Sequence, residues 1–264
     1  MKIIAFINQK GGVGKSTITM NMASFLTKMG KKVLTIDLDP QGNTSQAYGI
    51  NTDGKATLRE VLLGEVAINE AIYGTRYGYM IPSDIALGHS ERTIAGALGC
   101  ERLLKKAINP FFNAIKGTDL ELDYVLIDCP PAFNVFTYNA LNLATDVVLP
   151  CRADEWSYQA VQQFLVIKQQ MIDSFDKEFN VAGVLINQFQ SNLTTSKTYY
   201  DRIADFCREK GISFIKNTIR HSTDVNTAIA NSMSVFDYKP KSLSAQDMEL
   251  ALNEIISNLK GDDK

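Results

Sequence analysis

Residues 8 to 17 read Asn-Gln-Lys-Gly-Gly-Val-Gly-Lys-Ser-Thr and follow directly on the apolar run from Lys2 to Ile7. A buried strand running into a glycine-rich turn and then a helix is an arrangement that wraps a nucleotide triphosphate. Backbone N–H groups from Gly11 through Gly12, Val13 and Gly14 to Lys15 can converge on phosphate oxygens. Glycine is required because the turn passes through conformations that a Cβ blocks. Lys15 supplies a point charge to the β- and γ-phosphates, and Ser16, next to Thr17, offers a hydroxyl to Mg²⁺. The usual loop is Gly-x4-Gly-Lys-Ser/Thr, but here Gln9 stands where the first glycine belongs, and Lys10 opens the loop. Two lysines five residues apart cannot both be wrapped in the same way. Lys10 is suited to the nucleotide of a second subunit, the alternative being a solvated loop charge.

Carboxylates follow at matching places. Asp37 and Asp39 close the second apolar run, in Ile36-Asp-Leu-Asp-Pro-Gln-Gly-Asn43. Two apart on an extended chain, they share a face, and Pro40 turns the chain out of the sheet. One can support a Mg²⁺ shell while the other handles an attacking water. Asp128 ends the apolar run Tyr124-Val-Leu-Ile, a costly place for a carboxylate unless its charge is compensated, as by a magnesium-bound water. Asn187 ends Gly183-Val-Leu-Ile, and its amide can read an adenine edge with a donor and an acceptor. The only histidines are His89 and His221, and no His/Asp/Ser or His/Cys cluster supports nucleophilic or zinc chemistry.

These residues need elements that aim them at one point. Strand patterns fall at Lys2–Asn8, Lys32–Asp37, Tyr77–Pro82, Asp123–Asp128, Asp146–Pro150, Val181–Asn187 and Ile212–Ile215. Several are continuous Val/Ile/Leu runs, as parallel strands covered on both faces require. Helical patterns lie between them at Lys15–Met29, Val135–Ala144, Ser157–Phe175, Ser196–Lys210 and Ala245–Leu259. The stretch around Cys100 also reads as helical. The alternation predicts an α/β fold, a doubly wound and mostly parallel sheet flanked by helices, with the ligand beyond the carboxyl ends of the strands. A length of 264 residues with no linker or repeat predicts a single domain over 1–264. The net charge of −2 excludes an overall basic nucleic-acid binder. Four scattered cysteines and no signal peptide predict a reduced, cytoplasmic protein, and no apolar stretch approaches the ~20 residues of a membrane span.

The heptad Lys10–Ser16 resembles, at every fixed position, the signature of the deviant Walker A ATPases, the P-loop family of the ParA and Soj partition proteins and MinD. The Asp37–Asn43 segment is similar to that family's Walker A′ motif, and Asp128 with Pro130 and Pro131 is similar to its Walker B strand and switch II loop. The resemblance implies ATP and Mg²⁺ as ligands, Asp39 as the water-activating carboxylate, and Lys10 as the lysine that crosses a sandwich dimer to the partner's ATP. It also implies that Asn187 touches adenine and that the Asn217–Ser222 loop covers the other edge of the base. Family members usually have Pro-Arg in that loop, where this chain has Ile219-Arg220-His221.

The output of such a switch is written more softly. Between Ser196 and Lys241 eight basic side chains face five acidic ones, a local excess in an acidic chain. That suits sequence-independent phosphate contact. Lys197, Lys216, Arg220, Lys239 and Lys241 are the candidate DNA contacts. The tail from Ser234 resembles the ParA ending, so the likeness spans residues 1 to 259. It implies an ATP-driven homodimer that binds DNA non-specifically, associates with the nucleoid, and is released when a ParB-type partner stimulates slow hydrolysis. The chain begins at its first strand, so the N-terminal helix-turn-helix extension of larger plasmid ParA proteins is expected to be absent. Two other readings share the scaffold. A MinD-like membrane-cycling ATPase needs a basic amphipathic C-terminal helix, whereas the Met248–Leu259 segment carries Glu249 and Glu254 and ends Lys-Gly-Asp-Asp-Lys. A metabolic ATP-dependent carboxylase or amidase needs a second substrate pocket, and Asn43–Asn113 shows no recognisable one.

Overall fold

The computed structural model describes residues 1–259. The closing Lys-Gly-Asp-Asp-Lys of the tail therefore lies outside the described residues. Eight strands form one sheet: β1 (Lys2–Phe6), β2 (Val33–Asp37), β3 (Tyr73–Thr75), β4 (Gly78–Ile81), β5 (Tyr124–Asp128), β6 (Asp146–Cys151), β7 (Asn180–Ile186) and β8 (Phe214–Ile215). Their spatial order is β3-β4-β2-β5-β1-β6-β7-β8. Every pairing is parallel except that of β3 with β4. The fold is the expected doubly wound α/β sheet. Its helices are α1 (Lys15–Lys28), α2 (Asn43–Ala47), α3 (Leu58–Leu63), α4 (Ile85–His89), α5 (Glu91–Ala95), α6 (Leu103–Ile115), α7 (Val135–Leu143), α8 (Glu155–Phe175), α9 (Thr194–Glu209), α10 (Thr223–Ala230), α11 (Val235–Tyr238) and α12 (Leu243–Ser257).

The central strands are buried on both faces, because successive side chains enter two separate cores. Ile3, Ala5 and Ile7 join Val125, Ile127, Leu141 and Phe164 on one side. Ile4 and Phe6 join Ile18, Met22, Val225, Met248 and Leu252 on the other. A period of two with both faces apolar is what a continuous Ile/Val run must give in a covered sheet. Because β1 lies between β5 and β6, the chain winds off in both directions from it, and the crevice at its carboxyl end opens at this switch point.

Three local readings change. The strand expected over 77–82 is the second arm of a hairpin whose first arm, β3, carries no alternation to betray it. Gly78 makes that hairpin, with φ +96 and a position where any Cβ would strike the Val33 carbonyl. The segment around Cys100 is not one helix: Gly99 takes φ +68 and begins a 3-10 turn, Cys100–Arg102, before α6 starts. The strand expected over 212–215 shrinks to two residues.

Candidate nucleotide site

The turn after β1 is built as its composition requires. Gly12 and Gly14 adopt φ +72 and +96, in the left-handed region open to glycine. A Cβ at Gly14 would also collide with the Asn187 side-chain amide. Gly14 is the N-cap of α1 and supplies no side-chain cap, so the first N–H groups of that helix stay open for an anion. Asn8 fixes the start of the turn: its Oδ1 accepts from the Lys10 N–H at 2.9 Å, and its amide donates to the Pro150 carbonyl at 2.7 Å. Lys15 is buried, and its ammonium lies 3.5 Å from the Lys10 carbonyl. Burial pushes its pKa down, while the charges of Asp128 and Asp39 oppose the shift.

Lys15, Ser16, Thr17, Asp39, Gln41, Asn43, Gln46 and Pro131 line one cleft of about 650 Å³ together with Gly11, Gly12 and Gly14. That brings the expected phosphate residues and Asp39 to one place. The two remaining carboxylates lie deeper. Asp37 and Asp128 are in-register partners on β2 and β5, and both are completely buried. Burial, reinforced by the charge of Asp128, holds Asp37 well above the ordinary carboxylate range. Burial also lifts Asp128 to about 6, against the pull of the Ser16 and Thr44 hydroxyls and of Lys15. Asp128 Oδ1 has no hydrogen-bond partner among the described residues. An orphaned buried oxygen costs about 1–3 kcal/mol or more, so it marks a place kept for a ligand. A hydroxyl and carboxylates are the hard oxygen donors that Mg²⁺ takes, and that ion is commonly held by one or two carboxylates together with substrate phosphates. Ser16, Asp37 and Asp128 fit it.

Three expected site residues stand differently from their sequence reading. Lys10 does not project outward. Its Nζ lies 2.5 Å from Asp154 Oδ2, in a pair whose side chains are 26% and 32% exposed. Asp154 is the N-cap of α8 and also accepts from the Ser157 N–H. Burial alone would raise the Asp154 carboxyl, but the bond from Lys10 and the Ser157 N–H outweigh it and hold the group below its ordinary value. Asn187 spends one amide hydrogen on the Val13 carbonyl, at 2.8 Å, because the turn packs directly against the end of β7. It also lines a small pocket with Thr17, Gln188, Ile219 and Arg220, which brings the loop after β8 beside it. Arg220 makes a bidentate pair with Asp247 of α12 rather than a free cation.

The other basic candidates scatter. Lys239 pairs with Asp224 at 3.0 Å. Lys197, Lys216 and Lys241 are exposed and have no ion pair with another described residue. The apolar face of α12 is spent on the core through Met248, Leu252 and Ile255, and Glu254 turns inward to accept from the N–H groups of Lys216 and Asn217. Among the described residues no helix is long and apolar enough to cross a membrane.

Sequence reasoning passed over Asn8, Thr44, Ser45, Asp154 and Gln188. The last sits at φ +55 and donates to the Gly12 carbonyl at 3.1 Å. Position alone could have found Asn8, a polar residue ending an apolar strand. The others needed the fold.

The profile of a family described as an AAA domain matches residues 1–181. The chain is 28% identical over 260 residues to the sporulation initiation inhibitor protein Soj of Bacillus subtilis, covering 97% of this chain and 99% of that protein. It is 32% identical over 200 residues to the chromosome partitioning protein ParA of Caulobacter vibrioides, covering 75% and 73%. A crystal structure of cobyrinic acid a,c-diamide synthase from Mycobacterium smegmatis with bound ADP and magnesium superposes with a TM-score of 0.75 at 28% identity, over 90% of this chain and 91% of that one. With its two-lysine loop and its three carboxylates gathered at one end of the sheet, the chain belongs to this AAA-domain family, as a P-loop ATPase of the ParA/Soj type.

Proposed function

We propose that this chain is a partition ATPase, a single P-loop unit over 1–264 that binds ATP with Mg²⁺, dimerises on it, and holds DNA non-specifically until hydrolysis releases it. The observation that carries the reading is the cleft that joins the glycine-rich turn, Lys15 and Ser16 to Asp39, with the buried in-register pair Asp37 and Asp128 behind it. In this reading the N–H groups of the turn and Lys15 grip the β- and γ-phosphates. Bound Mg²⁺ would neutralise charge between them, with Ser16, Asp37 and Asp128 as its protein side. Asp39, at the cleft wall, orients the attacking water and accepts its proton.

Lys10 has the second role. A half-exposed ion pair contributes only about 0–1 kcal/mol. Exchanging Asp154 for a partner's triphosphate is therefore cheap, and Asp154 keeps its bond from the Ser157 N–H. The pair parks Lys10 at the loop until a second protomer offers a better anion. The likeness to Soj and ParA supports partition as the purpose, nucleoid DNA as the surface and a ParB-type protein as the stimulating partner.

The test is retention on DNA of arbitrary sequence with ATP, ADP or neither. ATP-dependent retention that falls steeply with salt is expected, because phosphate contacts dominate such binding. Equal retention under all three conditions would refute the nucleotide switch. The likeness to the diamide synthase structure favours a second reading, an ATP-dependent amidase or ligase. ATP turnover that begins only when a small carboxylic acid is added would establish that reading instead.

A further inference from the structure

Two consecutive hydroxyl residues open α2, five and six residues after Asp39, and each serves one of the buried carboxylates. Thr44, fully buried, donates its Oγ1 proton to Asp128 Oδ2 at 2.6 Å. Ser45, also buried, donates from both its N–H and its hydroxyl to Asp37 Oδ2, at 2.9 and 2.8 Å. The Ser45 hydroxyl in turn accepts from the Ser83 N–H at 2.9 Å, just past the end of β4.

The two carboxylates differ in what else holds them. Asp37 has a further backbone donor, the Asp39 N–H at 3.1 Å on Oδ1, so its orientation does not depend on a hydroxyl. On Asp128 the Thr44 hydroxyl holds Oδ2, the Ser16 hydroxyl also draws on the carboxylate, and Oδ1 is without a hydrogen-bond partner among the described residues. The Thr44 hydroxyl thus ties down Oδ2, and Oδ1 is the oxygen left over.

We propose that Thr44 is the positioning residue of the cation site: it pins Asp128 through Oδ2, reserves Oδ1 for the hydration shell of a divalent cation, and joins that site to the segment carrying Asp39. The inference rests on the Mg²⁺–ATP reading above. Groups that orient the ligands of a metal typically carry 10- to 100-fold in metal affinity. Ser45 is the built-in comparison, since Asp37 keeps two backbone donors without its hydroxyl.

The experiment is a Mg²⁺ titration of the binding of a fluorescent ATP analogue, with parallel titrations in EDTA. Thr44→Val preserves shape and removes the donor. It should raise the Mg²⁺ concentration for half-maximal binding by roughly 10- to 100-fold while leaving affinity in EDTA unchanged, and Thr44→Ser should restore the parent value. Ser45→Ala should move it far less. A Thr44→Val protein that melts cooperatively and titrates like the parent overturns the proposal, as does one that loses affinity equally in EDTA. If the valine variant does not fold, Thr44→Ala carries the same expectation and the same refutation. A parent protein whose nucleotide binding ignores Mg²⁺ refutes the ATPase reading itself, an outcome distinct from a failure at Thr44.

Discussion

The nucleotide-cleft end of the sheet and the scattered basic residues between 197 and 241 are built on opposite principles. At the first, Asp37, Asp128, Thr44, Ser45 and Asn8 are buried, and nearly every polar atom has a partner at fixed geometry. At the second, Lys197, Lys216 and Lys241 stand in solvent, while Arg220 and Lys239 are half neutralised by Asp247 and Asp224. A buried polar network tolerates no slack, because each unpaired group costs kilocalories. An exposed charge pair is worth little and can be rearranged. The first design suits chemistry that demands one geometry. The second leaves its charges free to rearrange.

The contrast is broken most sharply at Asp39. Asp39→Ala should lower ATP turnover by about 10²- to 10⁴-fold, the usual worth of a positioned base, with nucleotide binding retained. Phosphate release assays at saturating ATP measure it, and turnover at the parent rate would leave the water without its proposed base. Next in size is the Lys10–Asp154 pair. Lys10→Ala should keep nucleotide affinity and lose ATP-dependent dimerisation by light scattering. Asp154→Ala should keep the dimer, since it removes the parking place and not the cation. Equal behaviour of the two variants would mean that the pair is only a brace for α8. The smallest effect belongs to the scattered basic residues. Lys241→Glu should weaken DNA retention and reduce its salt slope by about one. Arg220→Glu should do no more than that, because its charge is already shared with Asp247, and a larger loss at Arg220 would show that the Asp247 pair opens on DNA.

The same division explains what the sequence made legible. The turn, Asp39 and the two strand-ending aspartates are local patterns: a strand must end, a glycine must turn, and a carboxylate there needs a reason. The fold class followed from continuous apolar runs alternating with helical ones. What escaped was set by distance along the chain. Arg220 looks free until Asp247 is brought beside it, and nothing local to Lys10, read as reaching a second subunit's nucleotide, points to its pairing with Asp154. β3 was invisible because three residues hold no periodicity. Thr44 and Ser45 carry no signal of their own, since only in-register pairing of β2 with β5 gives them carboxylates to serve.

The bond from Asn187 to the Val13 carbonyl closes a circuit of 174 residues. The glycine-rich turn near the start of the chain is therefore braced by a residue that leaves the ribosome much later. A fragment cut at residue 181 would retain the whole recognisable motif yet lack the strap that keeps its shape.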